Sequence, residues 1–242
     1  MLRFRLVLML LLLFALAACG GSSGLSPDKE VSKVKPMPIN SKPYGKTYGE
    51  WSVLWWQWLF SVPASKCPLL DQTGEFATEG QSGKVWFLCG SFGNEEPWHR
   101  TVTIPPGTAL FIDLASGEAD NVGPRDLTPE QLLAEAKAYV DAVNVLYATL
   151  DGEPLSDNLY QYRSQAPGPF SLTVPDKTDN IWHFFGFDVV GSAWSEYTIF
   201  PCMADGYKLF LPPLSAGQHE LHIKAGIEGY TGEVIYHITV GK

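Results

Sequence analysis

The feature that most constrains the fold is a short helix-forming segment with apolar side chains all round. Thr47 and Glu50 have the spacing of a helix capping box, and Pro63 stops the helix after Val62. At about 100° per residue, tryptophan and leucine occupy one side of this helix and valine, tryptophan and phenylalanine nearly the opposite side. A helix without a polar face is normally buried. We therefore predict a helix over residues 51–62 that is mostly buried.

The last third of the chain has the alternation that is typical of strands. Apolar and polar side chains alternate over residues 219–228 and again over 234–240. Segments bounded by Gly and Pro turns predict further strands at residues 84–89, 101–104, 109–114, 144–150 and 207–211. Thr128, Pro129 and Gln131 predict the start of a second helix. We expect a mostly β fold, an antiparallel β-sandwich-like domain with two attached helices.

The N-terminus has the pattern of an exported lipoprotein. Arg3 and Arg5 precede an apolar run over residues 6–15, which is short for a membrane-spanning helix. The run ends in Leu16-Ala17-Ala18-Cys19, which resembles a bacterial lipobox at every position. In that family the cysteine carries several acyl chains, and stable anchoring needs more than one. We predict a signal peptide over residues 1–18 and lipidation at Cys19, with a plain secretory signal as the alternative.

The rest of the chain divides into a linker and one domain. Residues 19–43 are rich in Gly, Ser, Lys and Pro, so we predict a lipidated cysteine followed by a flexible linker. Residues 44–242 are predicted to form a single globular domain. Gly20 follows the lipobox, where lipoproteins of the inner membrane typically carry Asp, and this favours the outer membrane. Cleavage would remove Arg3 and Arg5 and take the formal net charge from −9 to −11, which argues against nucleic acid as a partner.

Three cysteines remain for the exported domain, where disulfides are possible. We favour a bond between Cys67 and Cys89, which would join a long loop to a strand and contribute about 3 kcal/mol in the chain-entropy model. A bond between Cys89 and Cys202 is the alternative. No histidine pattern, zinc motif, EF-hand loop, P-loop or dinucleotide motif occurs, so we predict no cofactor and no metal site.

Acidic side chains are the catalytic candidates, because a pair of carboxyl groups suffices for glycoside hydrolysis and needs no sequence motif. Glu50, Glu118 and Asp120 lie in or beside segments that we predict to be irregular, among them residues 116–125. Aromatic side chains are the binding candidates. On the second apolar side of the first helix, Trp56 and Phe60 could stack on sugar rings while Gln57 adds a hydrogen bond.

Several motifs resemble those of a family of bacterial exported proteins. They are Trp55-Trp56-Gln57-Trp58 and the run from Gly80 to Leu88 that reads GQSGKVWFL. The resemblance covers nearly the whole domain and implies export and a single β-rich domain, without an established activity. Members often have cysteines near the positions of Ala77 and Val102, so the resemblance transfers no disulfide pattern.

Three functions are compatible with these features. The leading prediction is an envelope lipoprotein, anchored to the membrane by its lipid, that binds a glycan or envelope polymer without catalysis. The first alternative is a hydrolase of an extracellular polymer that uses paired carboxylates. The second is a structural subunit of an envelope protein assembly, with the aromatic side of the helix as its interface. Exposure of Trp56 would favour binding, whereas a cleft with two carboxyl groups about 5 to 10 Å apart would favour hydrolysis.

Overall fold

The computed structural model describes residues 34–93, 96–187, 194–195 and 198–241, which lie in one compact unit. The predicted signal peptide, Cys19 and the first part of the predicted linker lie outside the described residues. None of the helices in the described ranges is both long enough and apolar enough to cross a bilayer. The helices are α1 (Tyr48–Ser61), α2 (Pro129–Ala142) and α3 (Ile181–Phe184). The strands are β1 (Val85–Leu88), β2 (Trp98–Ile104), β3 (Ala109–Asp120), β4 (Val145–Leu150), β5 (Glu153–Pro154), β6 (Arg163–Gln165), β7 (Phe170–Thr173), β8 (Trp194–Ser195), β9 (Thr198–Leu211), β10 (Gly217–Ile227) and β11 (Tyr230–Val240).

Two sheets form the body, which confirms the predicted mostly β fold. The first sheet has the order β1-β3-β9-β6, with β7 and β8 pairing with other parts of β9, and the second has the order β2-β11-β10-β4-β5. Most neighbours are antiparallel, but β1 runs parallel to β3 and β2 runs parallel to β11. The turn Pro105-Pro106-Gly107 therefore joins strands of different sheets, since β2 belongs to the second sheet and β3 to the first.

Helix α1 lies buried against the first sheet, as its apolar sequence predicts. The Thr47 hydroxyl accepts the Glu50 N–H at 3.2 Å, and the Glu50 carboxylate accepts the Thr47 N–H at 2.7 Å, so the predicted capping box is formed. The Trp51 ring lies 5.5 Å from the Phe210 ring of β9. The Trp55 indole N–H donates to the Leu88 carbonyl of β1 at 3.1 Å. The helix thus covers the face of the sheet on which Phe210 lies.

Helix α2 packs on the opposite face of β3 and β9. Leu132 and Ala136 form a small apolar cluster with Ala119 of β3 and Met203 of β9. The helix approaches so closely that a Cβ atom on Gly117 would lie 2.5 Å from the Ala136 carbonyl oxygen. The central pair of strands is therefore covered by a helix on each face.

The boundary predicted for the flexible linker is wrong, because residues 34–43 belong to the folded domain. Val34, Met37 and Ile39 pack against the core. The Met37 N–H donates to the Phe210 carbonyl at 2.8 Å, and the Trp51 indole N–H donates to the Pro43 carbonyl at 2.8 Å. Widely spaced apolar side chains and backbone hydrogen bonds attach residues 34–43 to the domain. The Lys- and Pro-rich composition of this segment predicts neither kind of contact.

The predicted disulfide between Cys67 and Cys89 is not formed in this structure. Cys67, Cys89 and Cys202 are all free and buried. The alternative bond between Cys89 and Cys202 is also not formed. Cys89 follows β1, which lies beside the first part of β3. Cys202 pairs with Asp120 at the other end of β3. Burial raises the pKa of each thiol, which keeps all three in the unreactive neutral form.

Candidate functional site

One edge of β3 lines an open groove. Strand β1 pairs only with residues 109–112, whereas β9 pairs with β3 along almost its whole length. No described strand pairs with residues 113–120 on the side of β1. Two pockets of about 100 and 460 Å³ lie along this edge, and they share Phe92, Ser116, Tyr139 and Tyr230 in their walls. Together they form a groove along residues 113–120 of β3.

Aromatic side chains line this groove and continue onto its rim. Tyr139 of α2 is 37% exposed and Tyr230 of β11 is 59% exposed, while Phe92 and Trp182 are half-buried. The Phe92 ring lies 5.2 Å from the Phe185 ring. Three exposed side chains follow Trp182 on the rim: Phe184, Phe185 and Phe187. The groove therefore offers ring faces to a ligand, and the exposed rings lie outside α1. The buried Trp55 and Trp56 of α1 line only the smaller pocket.

A buried acid cluster lies where the groove meets the end of β3. Glu118 and Asp120 are two residues apart and point to the same face of the strand. Cys202 of β9 stands opposite Asp120 in the antiparallel register. One side-chain oxygen from each acid and the Cys202 sulfur all lie within 4.8 Å of one another. The larger pocket is lined by both acids.

The three side chains of this cluster differ in their hydrogen bonds. Asp120 accepts the Trp182 indole N–H at 2.9 Å and the Val122 N–H at 2.7 Å. The Cys202 thiol donates to the Ile199 carbonyl at 3.4 Å. Residue 118 is partly exposed as a whole, but both oxygens of the Glu118 carboxyl group are buried and have no hydrogen bond of ordinary geometry among the described residues. The Cys202 thiol lies close enough to lower the pKa of Glu118, which opposes the effect of burial. An unpartnered buried carboxyl group is unusual and costly.

The pKa values of Glu118, Asp120 and Cys202 are all raised. Burial raises the pKa of Glu118 well above its usual value, and the neighbouring charge of Asp120 raises it further. Burial also raises the pKa of Asp120, although the N–H groups of Val122 and Trp182 oppose that shift. The cluster therefore favours a bound proton on Glu118 over two adjacent negative charges.

A buried ion pair lies farther along the same face. Lys208 Nζ is 2.5 Å from Asp113 Oδ1, and it lies over the ring of Trp55 at 4.2 Å and that of Trp56 at 5.6 Å. Burial lowers the pKa of Lys208, and the Asp113 carboxylate opposes that shift. The two tryptophans thus cover a charged pair inside the protein, which gives them a structural role.

The binding surface predicted on α1 is not present. Trp56 is 8% exposed and Phe60 is 2% exposed, and Gln57 donates its amide N–H to the Ser171 carbonyl at 3.1 Å. Phe60 packs against Trp182, with ring centroids 5.6 Å apart. The same burial removes this side of the helix as a protein interface. Sequence alone places rings on a helix but does not show that strands and loops cover both of its sides.

Of the predicted catalytic acids, Glu118 and Asp120 come together and Glu50 does not join them. Glu50 serves the capping box, and it lines a separate depression with Gln165 and Pro167. Hydrogen bonds from Thr47 lower the pKa of Glu50, so this carboxylate is ionised. The segment predicted as irregular also differs, because β3 continues to Asp120. Pairing with β9 extends the strand beyond what the polar sequence of residues 116–120 indicates.

Several residues lie close together in the structure although no sequence pattern predicts their proximity. Tyr139, Trp182 and Tyr230 reach the groove from three separate segments, and Cys202 reaches the acids from a fourth. His99 and His237 lie 3.1 Å apart, ring nitrogen to ring nitrogen, because β2 and β11 run side by side in parallel. Alternation within β9 shows that Cys202 shares a face with Lys208, but only the register between β3 and β9 brings it to the acids.

Comparison of this chain with protein-family models, curated proteins and solved structures found no significant match. The resemblance to bacterial exported proteins stays a prediction from the motifs.

Proposed function

We propose that this protein is an exported, lipid-anchored envelope protein, held at the outer membrane through Cys19, that binds a glycan in the groove along β3. The observation that carries the proposal is the groove itself, which combines exposed aromatic rings with carboxyl groups. The lipobox and the preceding apolar run support the location.

Several properties favour a glycan as the ligand. Ring faces such as those of Tyr139 and Tyr230 suit the apolar faces of sugars, and carboxyl oxygens such as those of Glu135 accept hydrogen bonds from hydroxyl groups. Half-buried Trp182 both lines the groove and binds Asp120, so its ring is held in place. The acidic chain repels polyanions, which favours neutral or cationic polymers.

Binding of the full chain, purified in detergent, to chitin, cellulose and peptidoglycan tests this proposal. Tyr139→Ala and Tyr230→Ala should each weaken binding up to about tenfold, the equivalent of one aromatic contact. Tyr147→Ala is the matched control, because Tyr147 is an exposed tyrosine, at 44%, that does not line the groove. Absence of binding to all three polymers, or an equal loss in the control variant, would overturn the proposal.

Hydrolysis is the second candidate, and the distance within the acid pair favours it. One carboxyl oxygen of Glu118 lies within 4.8 Å of one carboxyl oxygen of Asp120, so the pair is no farther apart than the carboxyl groups of retaining glycosidases, about 5 to 5.5 Å. Glu118, whose pKa is raised, would be the proton donor and Asp120 the nucleophile. Release of reducing ends from a bound polymer measures this activity. Glu118→Gln should abolish release while binding persists, and the absence of any release by the unaltered chain would exclude hydrolysis of that polymer.

A further inference from the structure

We infer that Glu118, Asp120 and Cys202 form a binding site for a divalent transition metal, with Zn²⁺ as the best fit. The inference deepens the proposed function, because it assigns an ion to the end of the groove. Metal binding is measured without any polymer, so the two proposals can fail separately.

The geometry of the strands brings three ligand atoms to one place. Glu118 and Asp120 share a face of β3, and Cys202 stands across from Asp120 on β9. Their ligand atoms lie within 4.8 Å of one another. In a tetrahedral zinc site with ordinary bond lengths, ligand atoms are about 3.4 to 3.6 Å apart. The ligand atoms are therefore at most about 1.4 Å farther apart than this spacing, 4.8 against about 3.4 Å.

The unpartnered Glu118 carboxyl group is the observation that points to a ligand. Both of its oxygens are buried without a hydrogen bond of ordinary geometry among the described residues, next to a second buried acid and a buried thiol. A cation at this point would give Glu118 a partner, release the Cys202 thiol proton to solvent, and offset the repulsion between the resulting thiolate and the acids. Without a cation, an ionised Glu118 carboxylate would have no compensation for its desolvation.

The donor set selects the kind of metal. Two carboxylate oxygens with one thiolate sulfur suit a borderline-soft ion, whereas Ca²⁺ and Mg²⁺ prefer oxygen donors alone. Three protein ligands leave the fourth position of a tetrahedral ion for water or a ligand atom, as in catalytic zinc sites. The Trp182 indole N–H orients Asp120 from outside the site.

Histidines elsewhere in the domain can also bind zinc, so the experiment has to distinguish their binding from that of the proposed site. No other group of three His, Cys, Asp or Glu ligands in the described ranges has comparable geometry. His99 and His237 nevertheless form an adjacent pair, with His237 3.8 Å from Glu220, and surface pairs of this kind take up zinc weakly. Cobalt spectroscopy distinguishes the two, because only a thiolate ligand produces sulfur-to-cobalt charge-transfer absorption.

The test uses the full chain in detergent, stripped with a chelator and titrated with ZnCl₂ or CoCl₂. We expect one tightly bound equivalent of metal, with thiolate charge-transfer absorption in the cobalt form. Cys202→Ser should abolish that absorption and weaken zinc binding by more than about 100-fold, beyond the usual effect of an outer-shell change. Cys67→Ser, which removes another buried thiol, and His99→Asn should leave the absorption unchanged.

Glu118→Gln gives an independent readout if Cys202→Ser does not fold. This variant keeps the thiolate and should weaken zinc binding while the cobalt absorption, at saturating metal, remains. Failure of the unaltered chain to bind one equivalent would overturn the inference, and so would a cobalt spectrum without thiolate absorption. If the protein hydrolyses a polymer, the reaction can be measured again after a chelator has removed the metal. Unchanged hydrolysis would exclude a role of the metal in that reaction.

Discussion

Arg100 shows at the scale of one residue how this protein satisfies a buried charge. Its side chain is 1% exposed. The guanidinium donates to backbone carbonyls at 2.7 to 3.2 Å and to the Tyr236 hydroxyl at 2.6 Å; the carbonyls belong to Leu69, Asp71, Cys89 and Gly90. One side chain therefore joins the loop before β1, the end of β1 and the second sheet.

Replacing this guanidinium should destabilise the protein strongly. Arg100→Met removes the guanidinium from the buried carbonyl groups of Leu69, Asp71 and Gly90, so we expect the free energy of unfolding to fall by about 3 kcal/mol or more. Denaturant unfolding measures this change. Arg125→Met is the control, because Arg125 forms an exposed ion pair with Glu135 and should change stability by less than about 1 kcal/mol. Equal effects of the two variants would contradict this account of Arg100.

His219 is expected to make stability depend on pH. Burial lowers its pKa, but Asp151 at 2.8 Å and the Ser215 carbonyl at 2.9 Å raise it more, so the net pKa lies above the usual 6.5. A pKa raised on folding gives stability that is present below about pH 6 and is lost as the pH rises through the folded-state value. Unfolding measured from pH 5 to 8 should show this loss, and His219→Gln should remove it. An unchanged pH profile in the variant would refute the prediction.

At the scale of elements, the contact between α2 and β3 depends on the absence of a side chain. Gly117→Ala would place a methyl group 2.5 Å from the Ala136 carbonyl oxygen, so the helix or the strand has to shift. We expect a loss of about 1 to 3 kcal/mol in the free energy of unfolding. Gly241→Ala, whose new methyl group would lie no closer than 3.9 Å to Pro106, is the control. Unchanged stability of Gly117→Ala would show that this approach is looser than the structure indicates.

The predicted helices and most predicted strands exist because their signals are local. Capping boxes at Thr47 and Thr128 mark both long helices, and the alternation over residues 219–227 reappears as β10. The predicted end of β3 at residue 114 was wrong, because the rest of this strand has no local signal. Its polar residues form a strand only because β9 supplies hydrogen bonds and a buried environment. Sequence pattern therefore predicts a helix or strand well where capping residues or alternation within that segment specify it.

At the scale of the whole molecule, the proposed lipid anchor at Cys19 predicts where the domain is held. If Cys19 is acylated, Cys19→Ser should move the protein from the membrane fraction to the soluble fraction, because the acyl chains supply the anchoring. Fractionation of cells that express the two forms measures this, and radiolabelled palmitate reports the acylation directly. Cys67→Ser serves as the control. Membrane retention of Cys19→Ser would contradict lipid anchoring at this position.

The sequence by itself determined the kinds of element, the burial of the aromatic helix and two members of the candidate acid cluster, Glu118 and Asp120. These follow from spacing, capping residues and chemical type within short segments. Only the tertiary structure decided which strands pair in parallel, that the edge of β3 stays open, and that Cys202 meets the acids. Such neighbours depend on register between distant strands, which is set by the joint packing of both sheets and both long helices and has no local signal.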